Sequence, residues 1–133
     1  MVAAINNQVG NVGGPQDLAY YDQGVIFFNI GNYAAAWASF NEAIKINPRE
    51  MIYYYMRGAC SMNMGHYKSA LIDYNKAMSL AKTNEERGWI HFDLALLYNA
   101  IGDEQNSLFH IVAAARLGNG LAQNICREVG IPY

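Results

Sequence analysis

Residues 17–50 read DLAYYDQGVIFFNIGNYAAAWASFNEAIKINPRE, and this stretch decides the fold. Tyr20, Gly24 and Phe27 fall on one side of a helix of period 3.6, and so do Ala36, Phe40 and Ala43. Gly31-Asn32 breaks the run between them. The stretch therefore predicts two amphipathic helices joined by a tight turn. Small residues at Gly24, Ala36 and Ala43 let the two helices approach closely, while Tyr20, Phe27 and Phe40 fill the space left over.

The same pattern recurs. A shift of 34 residues carries Gly24 to Gly58, Gly31 to Gly65, Tyr33 to Tyr67, Ala36 to Ala70, Phe40 to Tyr74 and Ala43 to Ala77. A further shift of 37 carries Gly65 to Gly102 and Ala77 to Ala114. The spacing resembles the tetratricopeptide repeat, whose pattern is aromatic-x2-L-G-x2-Y, then A-x3-F, then P. The first copy matches through Tyr20, Gly24, Phe27, Ala36, Phe40 and Pro48; the second matches through Tyr54, Gly58, Ala70, Tyr74 and Ala77, with Lys82 in place of the proline. The third is degenerate, with His91, Leu94, Ala95, Tyr98, Ser107 and Ile111. The resemblance covers Asp17 to Leu117. It implies an all-α, right-handed α-solenoid of three helix pairs, with repeats at about 17–50, 51–84 and 88–118. Residues 15–133 then form a single domain after a flexible arm at 1–14.

Local signals set the helix ends. Pro15 suits the first turn of the first helix, and Asn32 caps the second. Asn47-Pro48-Arg49-Glu50 predicts a third helix with Asn47 as its N-cap. Thr83-Asn84-Glu85-Glu86 reads as a capping box opening the fifth helix, and Asp103 caps the sixth. Asn119 caps a short seventh helix over 120–128, ended by Gly130 and Pro132. A solenoid needs its last apolar face covered. The stripe Leu121, Ile125 and Val129 is expected to do this, over Phe109 and Val112 of the sixth helix. The run Arg116-Leu117-Gly118-Asn119, followed by Ala122, also resembles the repeat junction of Sel1-like proteins.

The chain has 133 residues, 53% hydrophobic and 15% charged, with a net charge of -2, so it can bury a core. Lysines and arginines are scattered rather than striped, which argues against a nucleic-acid partner. No segment is long and apolar enough to span a membrane, and residues 1–7 do not read as a signal peptide, so a cytoplasmic location is expected. Cys60 and Cys126 read as free, half-buried thiols.

Chemistry-bearing clusters are absent from the sequence pattern. His66 falls in a turn, His91 at a core edge and His110 on an outer face, with no carboxylate or thiol at metal-ligand spacing. There is no nucleophile elbow and no phosphate-cradling loop. No cofactor, metal or catalytic residue is expected.

The first helices carry a second apolar stripe. It runs Leu18, Tyr21, Val25 and Phe28 in the first copy, Ile52, Tyr55, Met56, Ala59 and Met62 in the second, and Trp89, Phe92 and Leu96 in the third. A helix apolar all round is buried on both sides or holds something. Leu18, Ala59 and Leu96 are expected to pack against neighbouring repeats. In the tetratricopeptide architecture first helices line a concave face. The resemblance thus implies a peptide-binding groove of Tyr21, Phe28, Asn29, Tyr55, Met56, Met62, Asn63, Trp89, Phe92 and Asp93. The partner is an unidentified protein or peptide. The family's clamp for acidic C-termini needs Lys, Arg and Asn where this chain has Tyr21, Val25, Met56, Trp89 and Asp93, so that mode does not fit. The groove is closer in character to tetratricopeptide chaperones of bacterial secretion systems. The alternative is a homodimer, formed through the uncapped first repeat, where Ile26, Ile30 and Trp37 are only partly covered, or through the arm.

Overall fold

The computed structural model describes residues 15–133. The expectations for the arm at 1–14 lie outside the described residues. Seven helices follow in order: α1 Gln16–Asn29, α2 Tyr33–Ile46, α3 Met51–Asn63, α4 Tyr67–Leu80, α5 Asn84–Ala100, α6 Glu104–Arg116 and α7 Gly120–Val129. Among the described residues there is no strand. The pairs α1–α2, α3–α4 and α5–α6 turn at Gly31, Gly65 and Gly102, with φ of 81°, 77° and 81°. Left-handed backbone at one repeating position is what a glycine there permits.

The cap signals act as expected at four helix starts. Asn32, Asp103 and Asn119 each accept a backbone N–H through the side chain, and Thr83 with Glu86 closes a full capping box. The start of α3 differs. Asn47 is not its N-cap; that position is Glu50, which makes no side-chain cap bond. Asn47 is engaged elsewhere. Its Oδ1 accepts from Arg49 N–H at 3.3 Å and its Nδ2 donates to Asp17 at 3.3 Å. Pro48 offers its carbonyl to the Tyr54 hydroxyl at 2.9 Å. These bonds hold residues 47–50 as a turn.

The chain divides into two compact units, Met1–Asp73 and Tyr74–Tyr133. In the first, α1 packs on α2 and α2 on α3. Ala36, Phe40 and Cys60 form a buried cluster, flanked by Phe27, Tyr33, Trp37 and Met64. At Gly24 α1 and α2 meet closely: a Cβ there would lie 2.6 Å from the Phe40 ring. Burying a phenylalanine side chain of this kind stabilises by ~2–3 kcal/mol.

Two polar groups fasten this unit. The buried Tyr53 hydroxyl donates to Asp17 Oδ2 at 2.6 Å, tying α3 to α1. Burial, and then the bond to the Asp17 carboxylate, pushes the Tyr53 phenol well above its usual range. The Arg57 guanidinium grips Asp73 with two bonds of 2.8 and 2.7 Å and donates to Asn41 at 2.8 Å. It also stacks over Trp37 and Tyr54, at 5.4 and 5.7 Å from their ring centres.

In the second unit α5 packs on α6 and α6 on α7. One buried cluster joins α5, α6 and α7 through Ala95, Ile111, Ala114, Ala115, Ala122 and Cys126, and Ile90, Leu94 and Leu97 of α5 are buried as well. Here the expectation for α7 is corrected. Ala122 and Cys126 cover α6, while Leu121, Ile125 and Val129 are exposed. Val112 is half-buried against this core, but Phe109 is left 62% exposed. Alanines on α6 allow close approach, so α7 docks its small face and turns its large one outward. Both cysteines are free and fully buried rather than half-buried.

Candidate functional site

In the first unit the candidate residues line one side of α1 and α3. Tyr21, Phe28 and Met56 are half-buried, each resting on the Phe40–Cys60 cluster with the other side of the side chain open. Tyr21 lies 5.8 Å from the Phe40 ring and 5.5 Å from Tyr53, so core and surface share it. Burial, helped by Asp22, raises its phenol pKa. Phe28 meets Tyr33 edge-on at 5.3 Å. Tyr55 and Met62 are half-buried, and Asn29 and Asn63 are exposed. Asn63 Nδ2 donates to the Ala59 carbonyl on its own helix at 2.8 Å. Leu18, expected to be packed away, is 45% exposed. It extends the apolar side of α1.

In the second unit α5 carries Trp89, Phe92 and Asp93. Trp89 is 42% exposed and meets Phe92 edge-on at 5.9 Å. Phe92 rests on the alanine-rich core, and Asp93 is half-buried. Leu96, also expected to be covered, is exposed. Beside Trp89 opens a cavity of about 400 Å³, lined by Glu85, Trp89, Leu117, Gly118, Asn119 and Gly120. Glu85 and Asn119 were legible only as helix-start residues. The start of α5 lies against the turn before α7 at Gly88. A Cβ there would sit 3.6 Å from both Leu117 and Asn119.

One histidine is placed differently from expectation. His110 is not on an outer face; it is half-buried against His91, with Nδ1 to Nδ1 at 2.9 Å. One ring must carry its proton at Nδ1 and the other at Nε2 for this bond to form. Tyr98 stacks on His110 at 5.3 Å and 3°, and Phe109 meets it edge-on at 5.0 Å. Burial, then the neighbouring His91, pushes the His110 pKa down to about 4; burial lowers that of His91. Both imidazoles are therefore neutral near pH 7. Among the described residues no three His, Cys, Asp or Glu side chains gather in a metal-binding group, and no helix is long and apolar enough to cross a membrane.

The tetratricopeptide repeat family matches residues 18–50 and 52–84. Among solved structures, PcrH in complex with the chaperone binding region of PopD has 20% identity over 84% of this chain and 88% of that chain, with a TM-score of 0.75. The Yersinia enterocolitica type III secretion chaperone SycD, in complex with a peptide of the translocator YopD, has 17% identity over 84% of each chain and a TM-score of 0.70. A CopN–Scc3 complex matches at 16% identity and a TM-score of 0.71, over 86% of this chain but only 66% of that chain. These likenesses are of fold: an all-α solenoid of helix pairs. No curated protein matches the chain.

Proposed function

Because the chain belongs to the tetratricopeptide repeat family, we propose that it is a non-enzymatic interaction module that holds a segment of another protein against the apolar sides of its first helices. One observation carries this reading. Large aromatic and methionine side chains on α1 and α3 are anchored in a core on one side and left open on the other. Aromatic residues and methionine are the types that dominate binding hot spots and adaptable surfaces. In the second unit, α5 carries the exposed Trp89 with Phe92. The PcrH and SycD structures, which contain segments of PopD and YopD, support a peptide as the ligand class.

The test is fluorescence anisotropy with labelled, uncharged, extended peptides carrying spaced leucine or valine anchors. Saturable binding is expected. Tyr55→Ala and Trp89→Ala should each cost ~2 kcal/mol, about thirtyfold in affinity, with circular dichroism unchanged. Absence of saturable binding, or loss of helicity in both variants, overturns the reading.

Self-association is the second reading, favoured by Ile26 on α1 and Ile30 just past its end, both exposed. Sedimentation over a concentration range separates the two. A strict monomer at high concentration removes self-association.

A further inference from the structure

The cavity beside Trp89 has a composition of its own. An exposed indole forms one wall and the Glu85 carboxylate another. Glu85 forms no salt bridge with the other described residues. The neighbouring Glu86 alone serves the capping box, taking the N–H groups of Lys82 and Thr83 at 2.6 and 3.2 Å. The nearby cation is turned away: Arg87 binds Asn84 at 3.2 Å and the Ala81 carbonyl at 3.3 Å. Asn119 is only 7% exposed, yet it lines the cavity. Its Oδ1 caps Ala122 N–H at 3.0 Å, while its Nδ2 donates to no other described residue. With no partner among the described residues, that donor keeps contact with solvent and is open to a ligand.

These groups ask for a ligand with a cation, an apolar stem and an adjacent carbonyl. The geometry points to a seat for one arginine or lysine of the bound segment. Its charged end pairs with Glu85 and lies on the Trp89 face, and its own peptide carbonyl accepts from Asn119 Nδ2. A cation over tryptophan is the strongest pairing of its kind. The start of α7, at Gly118–Gly120, suits the carbonyl oxygen rather than the cation. A volume of about 400 Å³ takes a long basic side chain together with its peptide group. This assignment rests on the interaction-module reading and narrows it: the partner segment presents a basic residue beside its apolar anchors.

The probe is N-acetyl-arginine methylamide, titrated into the full chain and followed by heteronuclear NMR. The Trp89 indole N–H and the Asn119 side-chain amide should shift together and saturably. The glutamate analogue should move neither. Glu85→Gln should weaken the arginine amide about fivefold or more with the amide spectrum otherwise intact, and Glu85→Lys should reverse the preference between the two analogues. Silence at both reporters, or equal shifts with arginine, glutamine and glutamate analogues, overturns the assignment. The uncharged apolar peptide keeps the two readings apart. If it binds while the arginine amide does not, the cavity assignment falls and the module stands. If the arginine amide binds alone, the cavity stands and the apolar-peptide reading falls.

Discussion

In the first unit, a phenol–carboxylate bond and an arginine–carboxylate pair join the helices; in the second, α5 and α6 meet through two neutral imidazoles. The apolar cores differ in the same sense. Phe40 fills the first, where α1 yields to it at Gly24, while in the second alanines make the close contact of α6 with α7, beside the buried Ile90, Leu94 and Leu97 of α5. One helix-pair plan is thus closed in two ways. A large side chain with charged fasteners tolerates few substitutions, because each partner is shaped to the other. A neutral imidazole fastener responds to protons instead.

Removing a charged fastener should have the largest effect. Arg57 is mostly buried, with its side chain 19% exposed beside Asp73 at 6%. Asp73→Ala leaves that cation without its partner and should cost ~3 kcal/mol by urea denaturation, since breaking a buried pair is worse than never having one. Arg57→Met with Asp73→Leu should recover most of the loss. If Asp73→Ala costs under ~1 kcal/mol, the pair is only a surface ornament and the contrast between the units weakens.

The glycines test packing with one methyl group each. Gly24→Ala forces a Cβ to 2.6 Å from the Phe40 ring, which has no room to move at 0% exposure. A loss of ~1–2 kcal/mol is expected after the gain in helix propensity is subtracted. Gly88→Ala places its Cβ at 3.6 Å from Leu117 and Asn119, an ordinary contact, so helix propensity decides and the variant should gain ~0.5 kcal/mol. Melting temperatures of the two variants should move in opposite directions. Movement in the same direction would show that the units do not differ in packing slack.

The smallest effect is the pH response of the second unit. Its imidazoles have folded pKa values below the ordinary 6.5, with His110 at about 4. The unfolded chain therefore binds more protons between those values, and stability falls as pH drops from about 6.5 toward 4. Amide exchange in α5 and α6 should quicken over that window, and His110→Phe should blunt the change. An unaltered pH profile in His110→Phe would mean that the pair does not set it.

Local features were legible in the sequence; pairings across distance were not. Asn32, Asp103, Asn119 and the Thr83–Glu86 box could be read because a cap involves residues three apart. The Asp17–Tyr53 bond spans 36 residues, and Asp17 alone reads as an ordinary first-turn acid. The His91–His110 contact depends on how two helices are rotated, which periodicity does not specify. Asn47 misled because its oxygen accepts from Arg49 N–H within the turn, while its amide nitrogen reaches Asp17, thirty residues away. On α7 the stripe Leu121, Ile125 and Val129 was correctly periodic but assigned to the wrong side. Hydrophobicity marks a stripe, while the alanines opposite decide which side docks. The candidate site was legible as residue types on α1, α3 and α5. The part Glu85 and Asn119 play in the cavity by Trp89 was not, since both read first as caps.

The cysteines have a practical consequence. Each unit holds one thiol at 0% exposure, Cys60 in the first and Cys126 in the second. Burial pushes the Cys60 thiol up to about 12, so it is neither nucleophilic nor reachable while its cluster is closed. Alkylation in the native state must wait for opening. With the two sites separated by mass spectrometry, labelling rates become a clock on each half of the chain, and a bound partner would register as a slower tick in the half it clasps.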